Sequence, residues 1–112
     1  MRISYEGIGH LAVTMPADDC VAGQVCKVNS SGAAAACGAG TKFCGIAEAV
    51  ENGMAAVQVE GFVKMGYTGT APALGYANLA ADGSGNVTAN SAGNSYLVVA
   101  VDTSNNTVVF KL

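Results

Sequence analysis

Hydrophobic and polar positions alternate with period two in two stretches of the chain. Val57, Val59, Gly61 and Val63 alternate with Gln58, Glu60, Phe62 and Lys64. Near the C-terminus Val108, Phe110 and Leu112 alternate with Thr107, Val109 and Lys111. Successive side chains of a strand point to opposite faces, so one set turns inward and the other toward solvent or a partner. Further short strands are expected at Leu11–Met15, Gly23–Val28, Cys44–Val50, Tyr76–Leu79, Val87–Ala89 and Tyr96–Val101. Turn-forming clusters separate them: Asn29-Ser30-Ser31-Gly32, Glu51-Asn52-Gly53, Asp82-Gly83-Ser84-Gly85-Asn86 and Thr103-Ser104-Asn105-Asn106. Helix signals are poor, because every amphipathic window contains a glycine. Ala33–Ala36 is made of helix formers, but Gly32 and Gly38 bracket it, and four residues cannot sustain a helix. The expectation is an all-β fold: a small single-domain β-barrel or sandwich of about eight or nine short strands. Residues 10–112 are expected to form the domain and residues 1–9 a flexible N-terminal arm.

The order of strands and turns that begins at Gly23 is echoed from Gly75. In this alignment Gly23 matches Gly75, Ala47 matches Ala100 and Val57 matches Val108, with a two-residue slip at the second turn. Such an echo predicts two similar β-units within the domain.

Composition narrows the function. The 112 residues fit one domain. Hydrophobic residues make up 51% and charged residues 12%, which excludes a disordered chain. Five Lys and Arg and a net charge of −3 leave no basic surface to track a phosphate backbone, so no nucleic-acid partner is expected. No run approaches the ~20 apolar residues of a membrane helix, and Glu6 and His10 interrupt the N-terminal region where a secretion signal would need a continuous apolar core. No membrane partner is expected, and the chain is expected to be made in the cytosol.

Candidate chemistry is sparse. Cys20, Cys26, Cys37 and Cys44 contain no C-x2-C pair, and His10 is the only histidine, so no metal is expected. Two disulfides are possible by count, but a reducing cytosol favours four small apolar side chains in or near the core. A triad could be drawn from His10, Asp18, Asp19 and Cys20, yet no nucleophile elbow supports it, and no catalytic residue is assigned. Gly38-Ala39-Gly40-Thr41-Lys42 lacks the spacing of a phosphate loop and reads as a turn, and no cofactor is expected. Asp82–Asn86 begins like a calcium loop, but Val87 and Gly93 stand where its turn glycine and final carboxylate would be, so it reads as a hairpin turn.

The aromatics carry the remaining signal. Tyr67, Tyr76 and Tyr96 fall at expected strand starts or loop edges, where a tyrosine either rims the protein's own core or serves an interface, because its ring packs while its hydroxyl finds water or a partner. Phe62 lies on the polar face of the Val57–Lys64 strand, which marks it as a contact residue.

The order of several short pieces resembles the capsid cement, or head decoration, proteins of tailed phages and prophages. These pieces are Val21-Ala22-Gly23-Gln24-Val25, Gly45-Ile46-Ala47-Glu48-Ala49-Val50, Val57-Gln58-Val59-Glu60-Gly61-Phe62-Val63, Leu74-Gly75 with the Asp82–Val87 turn, and the closing VVAVD…TVVFKL. The resemblance implies a non-enzymatic virion protein on the capsid exterior. Its partner would be the major capsid protein, and it would self-associate as a trimer at least on the shell. A β-tulip fold of the kind some such proteins have is the structural alternative. With Phe62, Tyr67 and Tyr76, the residues Tyr5, Ile8 and His10 are singled out as contact residues, because the segment from Ile3 to His10 could order on a capsid. A small β binding module of a phage tail or fibre is the alternative function.

Overall fold

The computed structural model describes residues 9–112. The expected arm, with Tyr5 and Ile8, lies outside the described residues except for Gly9. The described residues are all-β, with ten strands in two five-stranded sheets. The first sheet contains β1 (Leu11–Pro16), β2 (Val25–Val28), β3 (Ala34–Ala36), β4 (Gly45–Glu51) and β5 (Met54–Glu60), in the order β1-β5-β4-β2-β3. The second contains β6 (Phe62–Thr68), β7 (Gly75–Ala81), β8 (Val87–Ala89), β9 (Asn94–Asp102) and β10 (Thr107–Lys111), closed into the barrel β10-β6-β8-β7-β9.

The two halves share one strand plan. In the first, β1 pairs antiparallel with β5, β5 with β4, β4 with β2 and β2 with β3, and Ala17 returns to Ala34 through a parallel bridge. In the second, β6 pairs antiparallel with β10, β10 with β9, β9 with β7 and β7 with β8, and β8 runs parallel to β6. The registers align Val13 with Val63, Ala17 with Tyr67, Ala34 with Val87, Ala47 with Val98, Ala55 with Val108 and Val57 with Phe110. Glu48 in β4 and Val99 in β9 occupy equivalent bulges. The first hairpin turns also match. The Asn29 side-chain oxygen accepts from the Ser31 and Ala33 N–H groups, and the Asp82 carboxylate accepts from those of Ser84 and Asn86. The sequence echo is therefore present in topology, but its register differs. Ala49 rather than Ala47 corresponds to Ala100, and Ala55 rather than Val57 corresponds to Val108.

The Val57–Lys64 alternation predicted one strand, and the structure makes two. Gly61 has φ +98°, where an L side chain is strained, and a Cβ there would crowd the His10 backbone. The chain thus leaves the first sheet at Glu60 and enters the barrel at Phe62. Gln58, expected on the solvent face, is buried instead. Its amide donates to the carbonyls of Glu60 at 3.0 Å and Phe62 at 3.4 Å, which braces this switch. The alanine run, for which no strand is expected, forms the short strand β3, held by β2.

The main core fills the barrel, with Met65, Tyr67, Val87, Val98, Val108 and Phe110 inside. Phe43, from the loop before β4, stacks on Tyr96 at 5.1 Å and meets Phe110 edge-on at 6.0 Å. The Tyr96 hydroxyl donates to the Phe43 carbonyl at 3.1 Å. The Gly38–Lys42 turn is pinned to β7, because Gly40 N–H donates to the Ala81 carbonyl and Ala81 N–H to that of Thr41. A smaller cluster of Cys20, Cys26, Ala34, Ala47, Ala55 and Val57 lines the first sheet.

Candidate functional site

Register places four side chains in a row across the barrel wall. Tyr76 on β7 pairs with Leu97 on β9, Leu97 with Lys111 on β10, and Lys111 with Phe62 on β6. Directly paired residues present their side chains on the same face. The neighbours Tyr96, Val98, Phe110 and Val63 point into the core, so this row points outward. Tyr76 is 77% exposed, the most exposed large apolar side chain among the described residues, and Leu74 beside it is 68% exposed. Leu97 and Phe62 are half-buried, and Lys111 is exposed. The row spans about 14 Å across four adjacent strands. Tyr76, Leu97, Lys111 and Leu112 also line a shallow groove with Asn94 and Ser95.

Several features fix the geometry. A bulge in β9 against Val109 and Phe110 sets the register that brings Lys111 opposite Leu97. Leu112 N–H donates to the Gly61 carbonyl at 2.9 Å, which ties the C-terminal strand to the start of β6. Lys111 Nζ lies 3.8 Å from Glu60 Oε2 and donates to the Leu112 carbonyl, so one cation sits between the two aromatics. The result is an apolar strip with one tethered positive charge. It offers packing area and a hydrogen-bond donor, features typical of a protein contact surface.

The other singled-out residues fall elsewhere. Tyr67 is a correction, because β6 turns it into the barrel and leaves it 6% exposed, so it belongs to the core. Its strand continues four residues past the expected end at Lys64, and the inward alternation of Val63 and Met65 carries on to Tyr67. His10 stands in the first half, with its Nε2 2.9 Å from Glu48 Oε2 at the β4 bulge. Tyr5 and Ile8 lie outside the described residues. Leu97, Lys111 and Leu74 were not singled out by sequence. Leu97 sits between Tyr96 and Val98 in an expected strand, and only the inward direction of those neighbours reveals that it faces out.

A second exposed apolar group lies on the first sheet, with Leu11, Val13, Val50 and Met54. All four cysteines are free: Cys20, Cys26 and Cys37 are buried and Cys44 is exposed. Among the described residues no group of His, Cys, Asp and Glu side chains is arranged to hold a metal ion. Compared with protein-family models, curated proteins and solved structures, the chain matches none of them.

Proposed function

We propose that this chain is a structural cement, or decoration, protein that binds the outer surface of an assembled phage head and stabilises it. The observation that supports this most is the outward row Tyr76–Leu97–Lys111–Phe62 on a closed barrel. A rigid wall that presents exposed aromatics loses little conformational entropy on docking, and aromatic anchors carry much of the energy of protein contacts. The low charge and the order of strand motifs that resembles head decoration proteins support the same reading. The partner is the major capsid protein, and the chain gathers as a trimer on the shell. Many equivalent shell sites make moderate affinity per copy sufficient, because neighbouring copies add to retention.

Head particles purified on a density gradient from an induced host test this reading. Quantitative mass spectrometry should find the chain at a fixed ratio to the major capsid protein. Tyr76→Ala should lower that ratio. A chain absent from intact heads would contradict the proposal. A few copies per particle would move it to a tail or fibre.

A further inference from the structure

We propose that Cys26 and Cys44 are a thiol pair that closes to an intramolecular disulfide when a peroxide oxidises the exposed Cys44. The proposal does not depend on the function proposed above. Cys26 lies on β2 with no exposed surface, and Cys44 immediately precedes β4. Cys44 N–H donates to the Cys26 carbonyl at 2.9 Å, and the next residue, Gly45, is the cross-strand partner of Cys26. Residues directly opposite each other in an antiparallel pair lie about 4.5–5.5 Å apart at Cα, inside the span of about 4.4–6.8 Å that a disulfide tolerates, and Cys44 is one residue from that position. The backbone bond holds the two thiols near enough for each to shift the other's titration, with Cys26 the partner that keeps its proton.

The two sulfurs have opposite characters. Cys44 is lowered to about 7, first by the Cys26 thiol and also by the backbone N–H groups of Cys44 and Val28. Cys26 is pushed above the ordinary thiol range, first by the neighbouring Cys44 and then by burial. Near neutral pH Cys44 is therefore the nucleophile, and Cys26 waits beside it as the resolving thiol. Cys20 and Cys37 are buried. The barrel has Ala77 and Ser95 at the positions equivalent to Cys26 and Cys44, so this pair belongs to the first half alone.

The chemistry balances with hydrogen peroxide as oxidant. The Cys44 thiolate attacks one peroxide oxygen, an S–O bond forms and the O–O bond breaks. The departing hydroxide takes a proton and leaves as water. The Cys26 sulfur then attacks the Cys44 sulfur, an S–S bond forms and the S–O bond breaks. The second hydroxide takes the Cys26 thiol proton and also leaves as water. The two thiols lose two electrons, and the peroxide gains them.

The test uses the full chain, fully reduced. At neutral pH Cys44 should alkylate more than about tenfold faster than each of the other three cysteines. After hydrogen peroxide, blocking of free thiols and trypsin, the peptide ending at Lys27 should be joined to the one beginning at Phe43. The linked product should be lighter by two hydrogens, with the Cys37 peptide free. Cys20 and Cys26 share one tryptic peptide, so C20S should retain the link. C44S, at an exposed position, should abolish it. The oxidised chain should melt higher than the reduced chain, and C44S should lose that rise. A link through Cys20 or Cys37, disulfide dimers between chains, or a Cys44 that stops at sulfenic or sulfinic acid would each overturn the proposal.

Discussion

Phe110 stands in the barrel where Val57 stands in the first sheet, and Tyr67 stands where Ala17 does. The same substitution of bulk recurs in the pairs Val87 and Ala34, Val98 and Ala47, and Val108 and Ala55. Tyr96 occupies the position of Gly45. The strand plan is shared, and the interior volume is not. Large side chains on every wall fill the barrel, and β6 and β8 close it with a two-residue parallel ladder. Alanines and cysteines line the first sheet, which meets itself only at the Ala17–Ala34 bridge. The first half leaves more apolar side chains exposed: Leu11, Val13, Val21, Val28, Val50 and Met54, against Leu74 and Tyr76 in the barrel half. Burial stabilises by roughly 25 cal/mol per Å² of apolar area, so the barrel half holds the larger share of stability. A topology therefore fixes which strands meet, and side-chain volume decides how firmly they close.

The sharpest way to break this comparison is to empty each interior at equivalent positions. Phe110→Ala should cost about 3–5 kcal/mol, and Val57→Ala about 2 kcal/mol, read by urea denaturation. Equal costs would mean that the two cores are equally important. Exchanging bulk is the next test. Ala55→Val should cost about 1–3 kcal/mol by overpacking a residue with no exposed surface, and Val108→Ala should cost a similar amount by leaving a void. A stabilising Ala55→Val would show that the first half is underfilled, not fitted to small residues. The matched turns should respond alike, with Asn29→Ala and Asp82→Ala each losing about 1 kcal/mol through two turn hydrogen bonds.

The smallest effect separates the second hairpins. The Asn105 side-chain amide holds the Asp102 carboxyl below its usual range, with help from the backbone N–H groups of Asn105 and Ser104. The first half uses Asn52 and Gly53 at positive φ in a two-residue turn instead. A lowered folded pKa contributes stability that is present above the ordinary carboxylate range and is lost as pH falls through the lowered value. Asp102→Asn should therefore lower the thermal midpoint slightly at neutral pH, and the difference from the unaltered chain should close as the pH falls through the acid range.

Sequence alternation carries much of this fold. Nine of the ten strands overlap stretches expected from the sequence, with β5 and β6 sharing one expected run, and only β3 has none. Gly61 hides the sheet switch because the inward positions continue past it, from Val57 and Val59 to Val63 and Met65. The β3 strand escapes notice because alanine has little strand preference, and only pairing with β2 makes it one. Phe62 and Tyr76 are legible one at a time, as aromatics at outward or edge positions. Their row is not, because it depends on a bulge in β9 and on barrel closure, which are non-local. Tyr67 reads like Tyr76 in sequence, and only the length of β6 turns it inward.

The proposed cement role is tested most directly by asking whether the barrel row binds a phage shell. Phage heads assembled without this chain would be titrated with the purified protein, and the bound amount measured after sedimentation. Tyr76→Ala combined with Phe62→Ala should weaken binding by at least about tenfold, as loss of central aromatic anchors does. Leu11→Ser combined with Val13→Ser, on the first sheet, should bind like the unaltered chain. Full binding by the barrel variant together with loss by the first-sheet variant would contradict the account and move the contact to the other half.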